Sequence, residues 1–155
     1  MRFVSFTCIL FVFLASCSSD KTDTQTFYHG FTNNSWEMGQ TVSFSFDIAD
    51  TSVHYDVSGK IRIGKTFTFS TIDMSLSLLT PSGSSRYKKI HLQMRNESGE
   101  RTGNLVNDYY EIPFPVYDSI RFAEPGKWVM NFDHNMPVDI YEGMIGLEVF
   151  IGKKK

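Results

Sequence analysis

Thr41-Val42-Ser43-Phe44-Ser45-Phe46-Asp47-Ile48 alternates polar and apolar side chains without a break. Side chains on a strand point to opposite faces with a period of two. Val42, Phe44, Phe46 and Ile48 therefore form a buried row, and Ser43, Ser45 and Asp47 a solvated one. The same period recurs downstream. Tyr55, Val57, Ile61 and Ile63 alternate with Asp56, Ser58, Lys60 and Arg62, and Gly59 completes the inward row as a candidate bulge. Phe67 and Phe69 begin a third stretch, and Met74, Leu76 and Leu78 continue it or start another. Ile90, Leu92 and Met94 alternate with His91, Gln93 and Arg95. The stretches around Leu76 and Leu92 flank the turn signal Pro81-Ser82-Gly83 and read as the arms of a hairpin. Trp128, Met130 and Phe132 form another inward row, and Ile145, Leu147, Val149 and Ile151 form the last.

Between these rows the pattern weakens. Glu97-Ser98-Gly99-Glu100 is a second turn, and Asn104 to Ile112 reads as a short strand or an irregular loop. Pro113 and Pro115 cannot donate to a ladder, which makes Phe114 an edge or loop residue. Asn135 to Glu142 is the one segment compatible with a short helical turn. With 14 Phe, 7 Tyr and very little Ala, composition also favours strands over helices. The expectation is an all-β fold: an antiparallel β-sandwich, immunoglobulin-like or jelly-roll-like, of about seven or eight strands.

The amino terminus reads as an address. Arg2, an apolar run from Phe3 to Leu14, and the small residues Ala15-Ser16 before Cys17 make a lipoprotein signal peptide over residues 1–16. Cys17 is then the first mature residue and the lipid attachment site. The apolar run is far short of the roughly 20 residues that span a bilayer as a helix. Residues 17–26 are polar and Ser/Thr-rich and read as an acylated flexible tether, leaving residues 27–152 as the sandwich domain. Cys8 departs with the signal and Cys17 is acylated, which excludes a disulfide, a catalytic thiol and a thiolate metal site. The formal charge is −2, far from the basic balance of a nucleic-acid binder. Lys153-Lys154-Lys155 reads as a solvated, frayed tail.

No reaction centre is evident. His29, His54, His91 and His134 lack metal-ligand spacing, no G-x-S-x-G elbow occurs, and no phosphate loop is present, so no catalytic residue, metal or cofactor is expected. His134 beside Asp133 is the candidate for a working histidine. Trp128 shares its face with Met130 and Phe132 and belongs to the core. Trp36, Tyr109 and Tyr110 are the candidate interaction surface. Exposed aromatic rings also stack on sugars, so a glycan-binding lipoprotein built on Trp36 is the alternative reading.

Asn33-Asn34-Ser35-Trp36 followed by Thr41 to Ile48 resembles the opening of the GldH-type gliding-motility lipoproteins of Bacteroidota. Arg62 before an aromatic strand, Pro81-Ser82-Gly83, Gly99…Gly103, Phe122…Pro125-Gly126 and Gly143-Met144-Ile145-Gly146-Leu147-Glu148-Val149 continue the resemblance in order. The middle turn, Glu97 to Arg101, departs from the family's Asp-Gly-Lys-Trp type. The resemblance implies a non-enzymatic, membrane-anchored envelope lipoprotein that contacts other envelope proteins in gliding motility or a related assembly. Asp118-Ser119-Ile120 resembles the O-glycosylation acceptor of that phylum, with Ser119 as the acceptor. Ser18 rather than Asp follows Cys17, which by analogy with other two-membrane bacteria favours the outer membrane. A Cys17→Ser protein should fold normally, incorporate no labelled palmitate and leave the membrane fraction on cell fractionation.

Overall fold

The computed structural model describes residues 24–154; the signal peptide, Cys17 and the tether up to Asp23 lie outside them. Eight strands have seven or more residues: β1 (Thr24–Gly30), β3 (Val42–Ile48), β4 (Tyr55–Gly64), β5 (Thr71–Leu79), β6 (Ser85–Gln93), β8 (Tyr109–Ile120), β9 (Gly126–His134) and β11 (Met144–Lys153). Three further strands have three residues each: β2 (Ser35–Glu37), β7 (Asn104–Val106) and β10 (Ile140–Glu142). Every pairing among the described residues is antiparallel.

One sheet runs β1-β11-β4-β8-β7, a second runs β3-β9-β5-β6, and β10 pairs with β2 in a small third sheet. Numbered in chain order, the eight long strands stand 1-8-3-6 in one sheet and 2-7-4-5 in the other. That order is the double Greek key of a jelly roll. Of the two sandwich types compatible with the sequence, the connectivity selects this one.

The inward rows are those the alternation assigns. Val42, Phe44, Phe46 and Ile48 are buried between polar neighbours in a strict two-residue pattern, as are Ile72, Met74, Leu76 and Leu78. β5 and β6 pair from Thr71 with Gln93 to Leu79 with Ser85, which is the hairpin expected around Leu76 and Leu92. Rings plug both ends of the core. Phe46, Tyr55 and Trp128 surround Phe122 at centroid distances of 5.7, 5.3 and 4.9 Å. At the opposite end, Trp36 stacks on Phe31 at 5.0 Å, and Tyr141 meets Phe67 at 5.2 Å. Each indole N–H donates to a carbonyl four residues away, Trp36 to Gln40 at 2.7 Å and Trp128 to Glu124 at 3.0 Å, so neither buries an unpaired donor.

Several local expectations change. β1 begins at Thr24, so Thr24 to Thr26 belong to the sheet rather than to the tether. Residues 135–142 form no helical turn, because Ile140–Glu142 pairs with Ser35–Glu37 instead. Of the edge and loop readings of Phe114 the edge one holds: it is buried inside β8, and β7 pairs only with Tyr109 to Glu111, leaving Pro113 and Pro115 on an outer edge. Lys153 ends β11, and Lys154 is pinned by a 2.7 Å contact from Nζ to Asp118 rather than frayed. The register slips opposite Tyr55 to Ser58, not at Gly59. Gly59 instead makes room for a ring. It pairs with Phe114, and a Cβ there would fall inside the Phe114 ring.

Gly59→Ala should therefore destabilise the domain by about 1–3 kcal/mol through overpacking. Urea unfolding measures this, and adding Phe114→Leu should recover part of the loss, whereas simple additivity would rule out the contact.

Candidate functional site

The strand directions give the sandwich two unlike ends. Thr24, Ile48, Tyr55, Ile120, Gly126 and Lys153 cluster at one end, while Gly30, Val42, Gly64, Tyr109, His134 and Met144 cluster at the other. The described chain begins at the first, at Thr24, which follows Cys17 by seven residues in the sequence. Residues 31–41, 94–108 and 135–143, the long connections, lie at the far end.

The three residues expected to form an interaction surface sit toward the far end but differ in environment. Trp36 is 0% exposed and cannot present a ring to a ligand. Tyr110 packs against the core, with the Arg101 guanidinium 5.2 Å above its ring. Tyr109 faces outward, as opposite orientation of adjacent strand residues requires. The polar neighbours of Trp36 suggest a loop, but the alternation Ser35-Trp36-Glu37 is the signal that its ring points inward.

Around Tyr109 the outer face of the five-stranded sheet carries a grouping that no single stretch of sequence displays. Arg62 on β4 donates from Nε to Glu111 on β8 and from Nη2 to Glu148 on β11, both at 2.9 Å. Lys60 adds contacts to the same carboxylates at 3.1 and 3.8 Å. The guanidinium lies 4.8 Å from the Tyr28 ring on β1 and 5.8 Å from the Tyr109 ring. Tyr28 lies close over the strand because residue 146 beside it is glycine; a Cβ there would collide with its ring. Partial burial opposes the charge on Arg62, but hydrogen bonds to Glu111 and Tyr28 and the charges of both glutamates outweigh it and raise its pKa. For Glu111, burial works upward, yet Lys60 and Arg62 hold the carboxyl below its ordinary value. Two cations and two anions cancel here, so covering this face strands no charge. Lys60 and Arg62 occupy outward positions of the alternation, as does Glu148; what the chain order hides is that they meet.

His134, the candidate working histidine, is buried among rings. It is 7% exposed, stacked at 5.8 Å on Tyr141 and edge-on at 5.4 Å to Trp36, and among the described residues neither ring nitrogen has a partner in hydrogen-bonding geometry. Burial lowers its pKa, against smaller upward effects of the Glu37 backbone and the Asp133 charge. Asp133 points elsewhere, accepting from Thr41 Oγ1 at 2.5 Å. Ser119 lies at the tether end, in the left-handed region at φ 61°, exposed and with its N–H donated to Asp56 at 2.9 Å. Among the described residues, no three His, Cys, Asp or Glu side chains converge as a metal site would require.

A jelly-roll domain with a charge-compensated, tyrosine-flanked sheet face is the class these features define. Residues 24–149 match the GldH lipoprotein family, and the chain belongs to that family. It is similar to the gliding motility lipoprotein GldH of Flavobacterium johnsoniae, with 23% identity over 95 residues covering 61% of this chain and 58% of that protein. The chain thus matches somewhat over half the length of this relative. Among solved structures, the infectious bursal disease virus VP2 subviral particle aligns with a TM-score of 0.39 at 13% identity, over 92% of this chain and 37% of the other. Latent PorU from Porphyromonas gingivalis aligns with a TM-score of 0.32 at 12% identity, over 84% and 13%.

The buried His134 generates a pH prediction. Its folded pKa lies below the unfolded value of about 6.5, so the unfolded chain takes up a proton first as pH falls. Stability is full above that value and declines below it, with a limiting slope of about 1.4 kcal/mol per pH unit. Chemical denaturation of the wild type should show this decline as pH falls below about 6.5, and His134→Phe should flatten it.

Proposed function

We propose that this protein is a non-enzymatic docking component of gliding motility or a related envelope assembly, anchored in the outer membrane through acylated Cys17. The observation that carries this reading is the Arg62 face. Tyrosine and arginine are among the residue types that most often dominate binding energy at protein interfaces. Here Arg62 is flanked by Tyr28 and Tyr109, and its charge is already paired with Glu111 and Glu148. A partner protein covering this face gains ring and guanidinium contacts without leaving a charge unpaired. The mechanism is positional: the lipid holds the domain at the membrane, and the sheet face binds an envelope protein toward the end remote from the tether. Ser119, exposed beside the tether end, serves in this reading as an O-glycosylation acceptor clear of the docking face.

Affinity capture of the intact acylated protein from mild-detergent envelope extracts tests the proposal. A defined set of envelope proteins should co-purify. A Tyr28→Ala/Tyr109→Ala protein, folded by circular dichroism and still acylated, should lose at least about tenfold of that capture, as truncation of interface anchors does. Undiminished capture by the double variant would remove the Arg62 face from the interface.

A further inference from the structure

We infer that the end of the sandwich remote from the tether binds a neutral glycan in a polar cleft. The cleft, about 430 Å³, lies along the outer side of the β2–β10 pair. That volume falls within the range of small-molecule sites, roughly 300–1,000 Å³. Thr32, Asn33, Glu37, Gln40 and Glu142 supply hydroxyl, amide and carboxylate groups to its wall, and Ile140, 50% exposed, supplies an apolar patch. A second cleft of about 260 Å³ shares Asn33, Ser35 and Glu142 with the first and extends the polar wall past Asn34 and Thr66.

The lining chemistry selects the ligand. A sugar hydroxyl both donates and accepts, so it is matched by carboxylates that accept and by amides that do both. The side chains of Asn33, Asn34, Glu37 and Glu142 are unoccupied by any hydrogen bond or ion pair among the described residues. Neither cleft is lined by Lys or Arg, so a phosphate or uronate would face two carboxylates with nothing to balance it. Recognition is therefore by hydrogen bonding to a neutral chain, with Ile140 against a C–H face, and not by stacking on the buried Trp36.

The backbone is set in advance. Asn33 and Asn34 both hold left-handed conformations, φ 54° and 52°, and the Asn34 carbonyl accepts from Gly143 N–H at 2.8 Å. Glycine would occupy two such positions at lower conformational cost. Asparagine tolerates them too, and adds an amide at each. Asn33→Gly/Asn34→Gly thus keeps the backbone geometry while deleting only the amides.

The test uses the intact lipoprotein in mild detergent on an array of neutral glucose, mannose, galactose and N-acetylglucosamine oligomers, with a Lys/Arg-rich peptide spotted beside them. At least one should bind. The double glycine variant and, separately, Glu142→Gln should weaken that binding tenfold or more, with the melting temperature of the double variant unchanged or higher. Tyr28→Ala/Tyr109→Ala should bind the glycan normally, which keeps this result independent of the docking face. No binding across the array, wild-type affinity in the double glycine variant, or binding only of a Lys/Arg-rich peptide would each overturn the inference.

Discussion

Burial of one face of each sheet against the other is the interaction on which this domain depends. The described residues hold no cysteine, so no disulfide within the sandwich can assist it. A chain of this size can bury about two thirds of its unfolded surface, which makes an unstapled fold feasible. The interior is unusually rich in rings, and rings resist close packing unless their edges and faces are matched. The inclined contacts of Phe122 with Phe46, Tyr55 and Trp128 show that matching at the tether end. Gly59 under Phe114 shows it from the other side, because the ring fits only where the facing strand has no side chain.

The remote end is built on the second group of rings. Trp36, Phe31, Tyr141 and Phe67 anchor the β2–β10 pair and its flanking connections to the core. The buried Tyr141 hydroxyl donates to the Thr71 carbonyl, and burial raises its pKa, so it remains a donor across the physiological range. His134 completes this floor as a neutral ring. A rigid base beneath long connections is the usual arrangement by which loops carry function on a sandwich. The opposite end, where Thr24 enters the sheet, has only short connections.

Legibility in the sequence follows burial contrast. Where one face is buried and the other wet, as from Val42 to Ile48, period-two alternation reads directly as a strand with a known inward row. β6 is harder to read: Ser85 to Lys89 are all exposed on an outer edge, and only Ile90 and Leu92 disclose the pattern. The short strands β2 and β10 escape a reading by periodicity because three residues carry hardly one period. Trp36 consequently reads as loop and Tyr141 as part of a helical turn, although each is a buried centre between outward neighbours.

Local chemistry settles the class of fold: alternation dictates strands, strands with buried rows dictate a sandwich, and the Ala15-Ser16-Cys17 run reads as a lipoprotein signal. Those readings rest on a residue and its immediate neighbours. The jelly-roll order, the separation of the two ends, and the meeting of Arg62 with Glu111 and Glu148 rest on contacts between residues 49 and 86 positions apart. Sheet pairing alone brings such residues together, because hydrogen-bond register and face-to-face packing are set by the whole core at once.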